Sequence, residues 1–159
     1  MLTPVRQQKI RRSSRGGSFA IVASRYNSRY VDAMVAQAQE VLKKAGAKNI
    51  RVIRVPGAFE IPAVAARLVR ARRPCSAVIC LGVILRGQTA HAQLIAEAVS
   101  GALARLQIQH ARPVIHEVLL LENEAQAAAR CLDKTHNRGS EAAQTALEMA
   151  RIMESLPSR

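Results

Sequence analysis

The chain has 159 residues, 49% of them apolar and only 3% aromatic, and carries a formal net charge of +13 at pH 7. That length suits one domain with an aliphatic core, and no apolar run reaches the ~18 residues of a membrane span. No hydrophobic run follows the basic N-terminus, and Cys75, Cys80 and Cys131 lack paired or metal-ligand spacing, which predicts a cytoplasmic protein with reduced thiols and no metal site.

Residues 1–17 read as a basic arm, with Arg6, Lys9, Arg11, Arg12 and Arg15 and no acid. Residues 18–159 read as a single domain. Phe19 to Ala23 predicts the first buried strand, and Ser24-Arg25-Tyr26-Asn27-Ser28 the turn after it, where open α/β sheets bind ligands. Val31, Met34, Val35, Ala38, Val41 and Leu42 recur at helical spacing over Val31–Ala45, ending at Gly46. Ile50–Val55 alternates, so it predicts a second strand towards a sheet edge. Pro56-Gly57 makes a turn, and Pro62 suits the first turn of a helix to about Ala71.

Ala77-Val78-Ile79-Cys80-Leu81 is apolar throughout, as in a strand covered on both faces. Twenty residues from Ala90 to Gln109 contain no Pro and predict a long helix. Gly87-Gln88-Thr89 is then the turn between them, with Thr89 as its expected N-cap. Such a junction turns backbone N–H groups and a positive dipole end outward, which suits a phosphate or carboxylate. His91 in the first helical turn is either a candidate general base beside that anion site or a solvated histidine. After Pro113, Val114–Leu120 predicts a fourth strand, Glu124–Leu132 a short helix, Asp133–Gly139 a polar connector and Ser140–Ser155 the last helix. Strands alternating with helices predict an α/β fold: a three-layer α/β/α sandwich around a four-stranded parallel sheet, flavodoxin-like.

Four separated segments resemble the 6,7-dimethyl-8-ribityllumazine synthase family. They are Ser24-Arg25-Tyr26-Asn27, Val55-Pro56-Gly57-Ala58-Phe59-Glu60-Ile61-Pro62, Gly82 to His91, and Gln126-Ala127 to Arg130 followed by Asn137-Arg138-Gly139. They occur in register from about Phe19 to Leu156. The resemblance implies a transferase of riboflavin biosynthesis. It would condense 5-amino-6-(D-ribitylamino)uracil with 3,4-dihydroxy-2-butanone 4-phosphate, release phosphate and water, and need no cofactor. By the same resemblance, Tyr26 stacks on the pyrimidine with Asn27 beside it. Ala58, Phe59 and Glu60 hold the ribityl chain and uracil, and Val83 and Ile84 flank the uracil. Gly87, Gln88 and Thr89 cradle the phosphate, Arg130 pairs with it, and His91 moves protons. Arg138 stands where the family has a lysine near the uracil.

The resemblance also implies a homo-oligomer, a pentamer or a sixty-subunit shell of twelve pentamers, and association with riboflavin synthase. Its sites lie between subunits. The expected division puts Tyr26, His91, the phosphate turn and Arg130 on one chain and His116 on its neighbour.

Three further departures stand out. His116-Glu117 replaces the family's usual Phe-Gly, with His116 still able to stack over the neighbouring site. His91-Ala92-Gln93 replaces His-Phe-Asp, removing an acid near His91. Thr135 stands where some members have a second phosphate-binding histidine. Two readings of other classes compete with the enzyme. A basic nucleic-acid-binding domain would use the arm, although the scarcity of aromatics argues against a strand-stacking surface. A catalytically decayed cage-forming protein would keep the same fold.

Overall fold

The computed structural model describes residues 16–157. The expected arm, up to Arg15, lies outside the described residues. The elements in order are β1 (Ser18–Ser24), α1 (Ser28–Lys44), β2 (Asn49–Val55), a 3-10 turn (Ala58–Glu60), α2 (Ile61–Val69), β3 (Ala77–Leu85), α3 (His91–His110), β4 (Val114–Leu121), α4 (Glu124–Cys131) and α5 (Arg138–Ser155).

The four strands form one parallel sheet in the order β2-β1-β3-β4. The direction of progression reverses between β1 and β3, which opens a crevice at their carboxyl ends. β1 and β3 are internal and almost wholly buried. Both edge strands carry charge: Arg51 and Arg54 on β2, as its alternation predicts, and Glu117 on β4.

Side chains alternate across the sheet, so each strand feeds two cores. Phe19, Ile21, Ile79 and Leu81 pack with α1, α4 and α5 through Met34, Leu42, Ala127 and Ala146. Val22, Val78, Cys80 and Val118 pack with α2 and α3 through Ile61, Ala65, Val99 and Leu103. These are the three predicted layers. Burial pushes the Cys131 thiol up to about 12 and raises Cys80 as well, so neither is a ready nucleophile. Among the described residues, no helix is long and apolar enough to cross a membrane.

The boundaries differ from the sequence reading where tertiary pairing overrides composition. β3 continues beyond Leu81 because Gly82 to Leu85 pair in register with Val118 to Leu121. α1 begins at Ser28 rather than Val31 because Asn27 adopts a left-handed conformation (φ 56°, ψ 41°), and its carbonyl accepts the N–H groups of Tyr30 and Val31. Thr89 is not the cap residue of α3. Ala90 holds that position, and the Thr89 hydroxyl takes the His91 N–H at 3.4 Å from one place upstream.

α5 starts two residues before its predicted start. The Asn137 carboxamide accepts the Gly139 N–H at 2.8 Å and the Ser140 N–H at 3.3 Å, while its amide donates to the Cys131 carbonyl. Gly139 lies flat on α1. A Cβ there would overlap the backbone carbonyl and Cα of Met34. Gly139→Ala should therefore destabilise the protein by about 2–3 kcal/mol, because backbone rather than a flexible side chain must yield. Urea denaturation of the purified variant measures this.

Candidate active site

The crevice at the carboxyl ends of the strands is an open cleft of about 740 Å³. Its walls come from the turn after β1 (Tyr26, Asn27), the β2–α2 segment (Pro56 to Glu60), the end of β3 (Val83 to Leu85) and the start of α3 (His91, Ile95). Eight predicted site residues therefore converge from four sequence segments: Tyr26, Asn27, Ala58, Phe59, Glu60, Val83, Ile84 and His91.

Local bonds explain how the turns hold these side chains. The Arg25 N–H donates to the Val55 carbonyl at 2.8 Å, and the Tyr26 N–H to that of Pro56 at 3.1 Å, tying the β1–α1 turn to the end of β2. The Asn27 amide donates to the Val83 carbonyl at 2.7 Å and ties the same turn to β3. Asn27 thus uses its side-chain donor to set the turn that carries Tyr26. Glu60 Oε2 accepts the Gly57 N–H at 2.8 Å, which leaves Oε1 free of this contact. A Cβ on Gly57 would come within 2.8 Å of the Tyr26 ring, so glycine lets the ring lie against the turn. Tyr26 is 67% and Phe59 61% exposed. Large aromatics this open on the rim of one cleft form a surface suited to a flat ligand.

Gly87, Gln88 and Thr89 form the exposed turn at the start of α3, next to His91 in sequence but outside the cleft lining. Gln93, the departure near His91, is occupied elsewhere. It accepts from Arg86 Nη2 at 3.0 Å and donates to Glu97 at 2.6 Å, while Arg86 pairs with Glu122 at 2.9 Å.

His116, Arg130 and Arg138 do not line the cleft of their own chain. Arg130 and Arg138 belong to α4 and α5, in the layer that covers the other core. The expected grouping of Arg130 with Tyr26 and His91 is not formed by the cleft lining of one chain: the helix that carries Arg130 packs on the other core. Arg138 instead grips Glu117, with Nε to Oε2 at 3.1 Å and Nη2 to Oε1 at 3.2 Å, and its Nη1 reaches Glu141 at 2.6 Å. Burial pushes the Glu117 carboxyl up to about 7, against the opposing pull of Arg138.

His116 faces the α3 layer. Its Nδ1 accepts the Val118 N–H at 3.0 Å, so the ring proton must sit on Nε2, which lies 2.7 Å from Ser100 Oγ. Burial lowers its pKa from the usual histidine value. A depressed pKa favours the neutral ring in the fold. Its contribution to stability is present above the unfolded value of about 6.5 and is lost as pH falls towards the lower folded value. Nitrogen NMR of histidine-labelled protein should find His116 neutral and protonated on Nε2 at pH 7. A predominant Nδ1–H tautomer would contradict the geometry.

Comparison with known proteins assigns the family. A family model described as 6,7-dimethyl-8-ribityllumazine synthase matches residues 16–154. The chain belongs to the 6,7-dimethyl-8-ribityllumazine synthase family. Proteins of that name from Stenotrophomonas maltophilia (strain R551-3) and Xanthomonas oryzae pv. oryzae (strain PXO99A) are 42% and 41% identical to it. These matches cover 92% and 87% of this chain and 95% and 91% of the relatives. A third, from Desulfotalea psychrophila (strain LSv54 / DSM 12343), is 38% identical over 89% of this chain and 92% of its own length. Lumazine synthase membership makes the chain a transferase of riboflavin biosynthesis and disfavours the nucleic-acid-binding alternative.

Sequence analysis assigned no role to four cleft-lining residues, Pro56, Gly57, Leu85 and Ile95, although the first three lie within its motif segments. Ile95 was accessible to it, since i and i+4 on one helix put Ile95 on the same face as His91. The partnership of Glu117 with Arg138 was missed too. Its only signal was that both positions depart from the lumazine synthase pattern.

Proposed function

We propose that the chain condenses 5-amino-6-(D-ribitylamino)uracil with 3,4-dihydroxy-2-butanone 4-phosphate, giving 6,7-dimethyl-8-ribityllumazine and releasing phosphate and water. The observation that carries this reading is the meeting of Tyr26, Phe59, Glu60 and His91 in one open cleft at the sheet's reversal point. The aromatic pair offers planar apolar surface to the pyrimidine. Glu60 Oε1 accepts a substrate N–H, and Ala58, Val83 and Ile84 contribute backbone groups. His91 exchanges the protons that an amine–ketone condensation must move. Holding the two reactants together supplies much of the rate without a protein nucleophile or cofactor.

The phosphate is read onto the outward N–H groups of Gly87, Gln88 and Thr89, with Arg130 arriving from an adjacent subunit, and Arg138 of that same neighbour reaches the uracil. His116 lies over the neighbouring site in the same reading. The protein is then a cytoplasmic homo-oligomer, a pentamer at least and by preference a sixty-subunit shell, able to associate with riboflavin synthase. Two features support assembly. Leu94 and Ile108 leave apolar surface open on α3, and the connector Asp133 to Asn137 is short.

Mixing the purified chain with both substrates tests the activity. Lumazine absorbance should grow only when both are present, with phosphate released in step. Intact assemblies without turnover would overturn the enzyme reading in favour of a catalytically decayed cage.

A further inference from the structure

We propose that Glu117 is a positioning residue for the reaction: it clamps Arg138 side-on and so fixes the direction in which the guanidinium's remaining N–H groups meet the pyrimidine substrate. This rests on the reading above that Arg138 belongs to the site of an adjacent subunit.

The clamp is built from both ends. Arg138 is the first residue of α5, whose start is fastened by the Asn137 cap and by Gly139 lying on α1. At the other end, Glu117 projects from edge strand β4 with its side chain only 10% exposed, and both of its oxygens accept from Arg138. Glu141 takes a third N–H through Nη1. A guanidinium has five N–H groups in a rigid plane, so two remain, one on each terminal nitrogen, and neither can turn independently. The Arg138 side chain is 26% exposed, so part of it is open to a ligand.

Charge balance favours a carboxylate at this position. Glu117 lies within the field of Arg130 as well as Arg138, and both guanidiniums pull its carboxyl towards the charged, doubly accepting form against the burial that raises it. Removing Glu117 would leave the Nε edge of Arg138 facing a poorly solvated space without an acceptor.

The two positions also depart from the family pattern together, with glutamate for its usual glycine and arginine for its lysine. An ammonium is compact, with donors that rotate to suit a ligand, and needs no clamp. A planar fork is useful only when it is aimed. Glu117 and Arg138 are, on this argument, a matched pair.

Kinetics of the full assembled enzyme separate positioning from mere support, with thermal melting and light scattering run on every variant. Glu117→Gln should raise KM for ribitylaminouracil about tenfold while leaving kcat and KM for the butanone phosphate within about twofold. Glu117→Gly should do the same or worse. Glu117→Gly combined with Arg138→Lys should recover to within about threefold of wild type, because a lysine does not depend on the clamp. The proposal is overturned if Arg138→Ala raises the pyrimidine KM and Glu117→Gln does not. It is equally overturned if the Glu117 variants lose only thermal stability or assembly, with unchanged KM in the assemblies that form, or if the double variant is no better than Glu117→Gly. An unchanged pyrimidine KM in Arg138→Ala would instead remove Arg138 from the site, and the proposal with it, while leaving the condensation itself measurable.

Discussion

Arg130→Ala should lower kcat/KM for the butanone phosphate roughly 30- to 1000-fold, the effect of losing about 2–4 kcal/mol of charge-assisted stabilisation. A guanidinium matches a phosphate with two parallel N–H donors, and its charge also stabilises the phosphate as it departs. The loss should therefore fall on kcat as well as on KM for that substrate, and KM for the pyrimidine should change little. Arg130→Lys keeps the charge but not the fork, so it should recover only part of the activity. The fold should tolerate the truncation, since Arg130 is half-buried on a short helix whose buried anchors are Ala127 and Cys131. Steady-state kinetics with each substrate varied in turn measure the effect. An unchanged kcat/KM for the butanone phosphate would remove Arg130 from the phosphate site.

How much of this could be read in the sequence depends on the range of the interactions. The layers and strand number were legible because continuous apolar runs such as Ala77–Leu81 and the helical spacing of Val31 to Leu42 are local consequences of burial. The cleft was legible because its segments follow strands, where an open parallel sheet leaves room for a ligand. Element ends were less so. β3 extends to Leu85 through pairing with β4, which no property of Gly82 or Val83 announces. The left-handed Asn27 sets the start of α1 by giving its side chain to Val83, a contact between positions 56 residues apart. The division of the site between subunits is not legible for a related reason. Arg130 and His91 belong to one family motif set, yet chain order says nothing about which face of a sheet each will occupy. The pairing of Glu117 with Arg138 also crosses from a strand to a helix, and only the joint departure at both positions hinted at it.

That division leads to the second large effect, a recovery of activity from two inactive chains. Tyr26 and His91 line the cleft, whereas Arg130 belongs to the layer on the other core and does not line it. If the phosphate of a substrate in the cleft meets Arg130, that arginine must come from another copy. A ring of identical subunits makes such a contact heterologous, so each cleft borrows the same surface from one neighbour. A chain carrying Tyr26→Ala and His91→Ala and a chain carrying Arg130→Ala should each be nearly inactive alone. When equal amounts are unfolded together and refolded, half the clefts are intact, and half of those adjoin a chain that retains Arg130. About one site in four is then complete, and activity should return to about a quarter of wild type. The control is each variant refolded by itself, with mass spectrometry verifying that the assemblies are mixed. Mixed assemblies that remain inactive would show that cleft and Arg130 act within a single chain, which would require α4 to leave the layer it occupies here. Recovery near a quarter would instead make the subunit interface part of the catalytic machinery, and a lone folded chain would then hold a cleft able to bind the pyrimidine but lacking the cation that its second substrate needs.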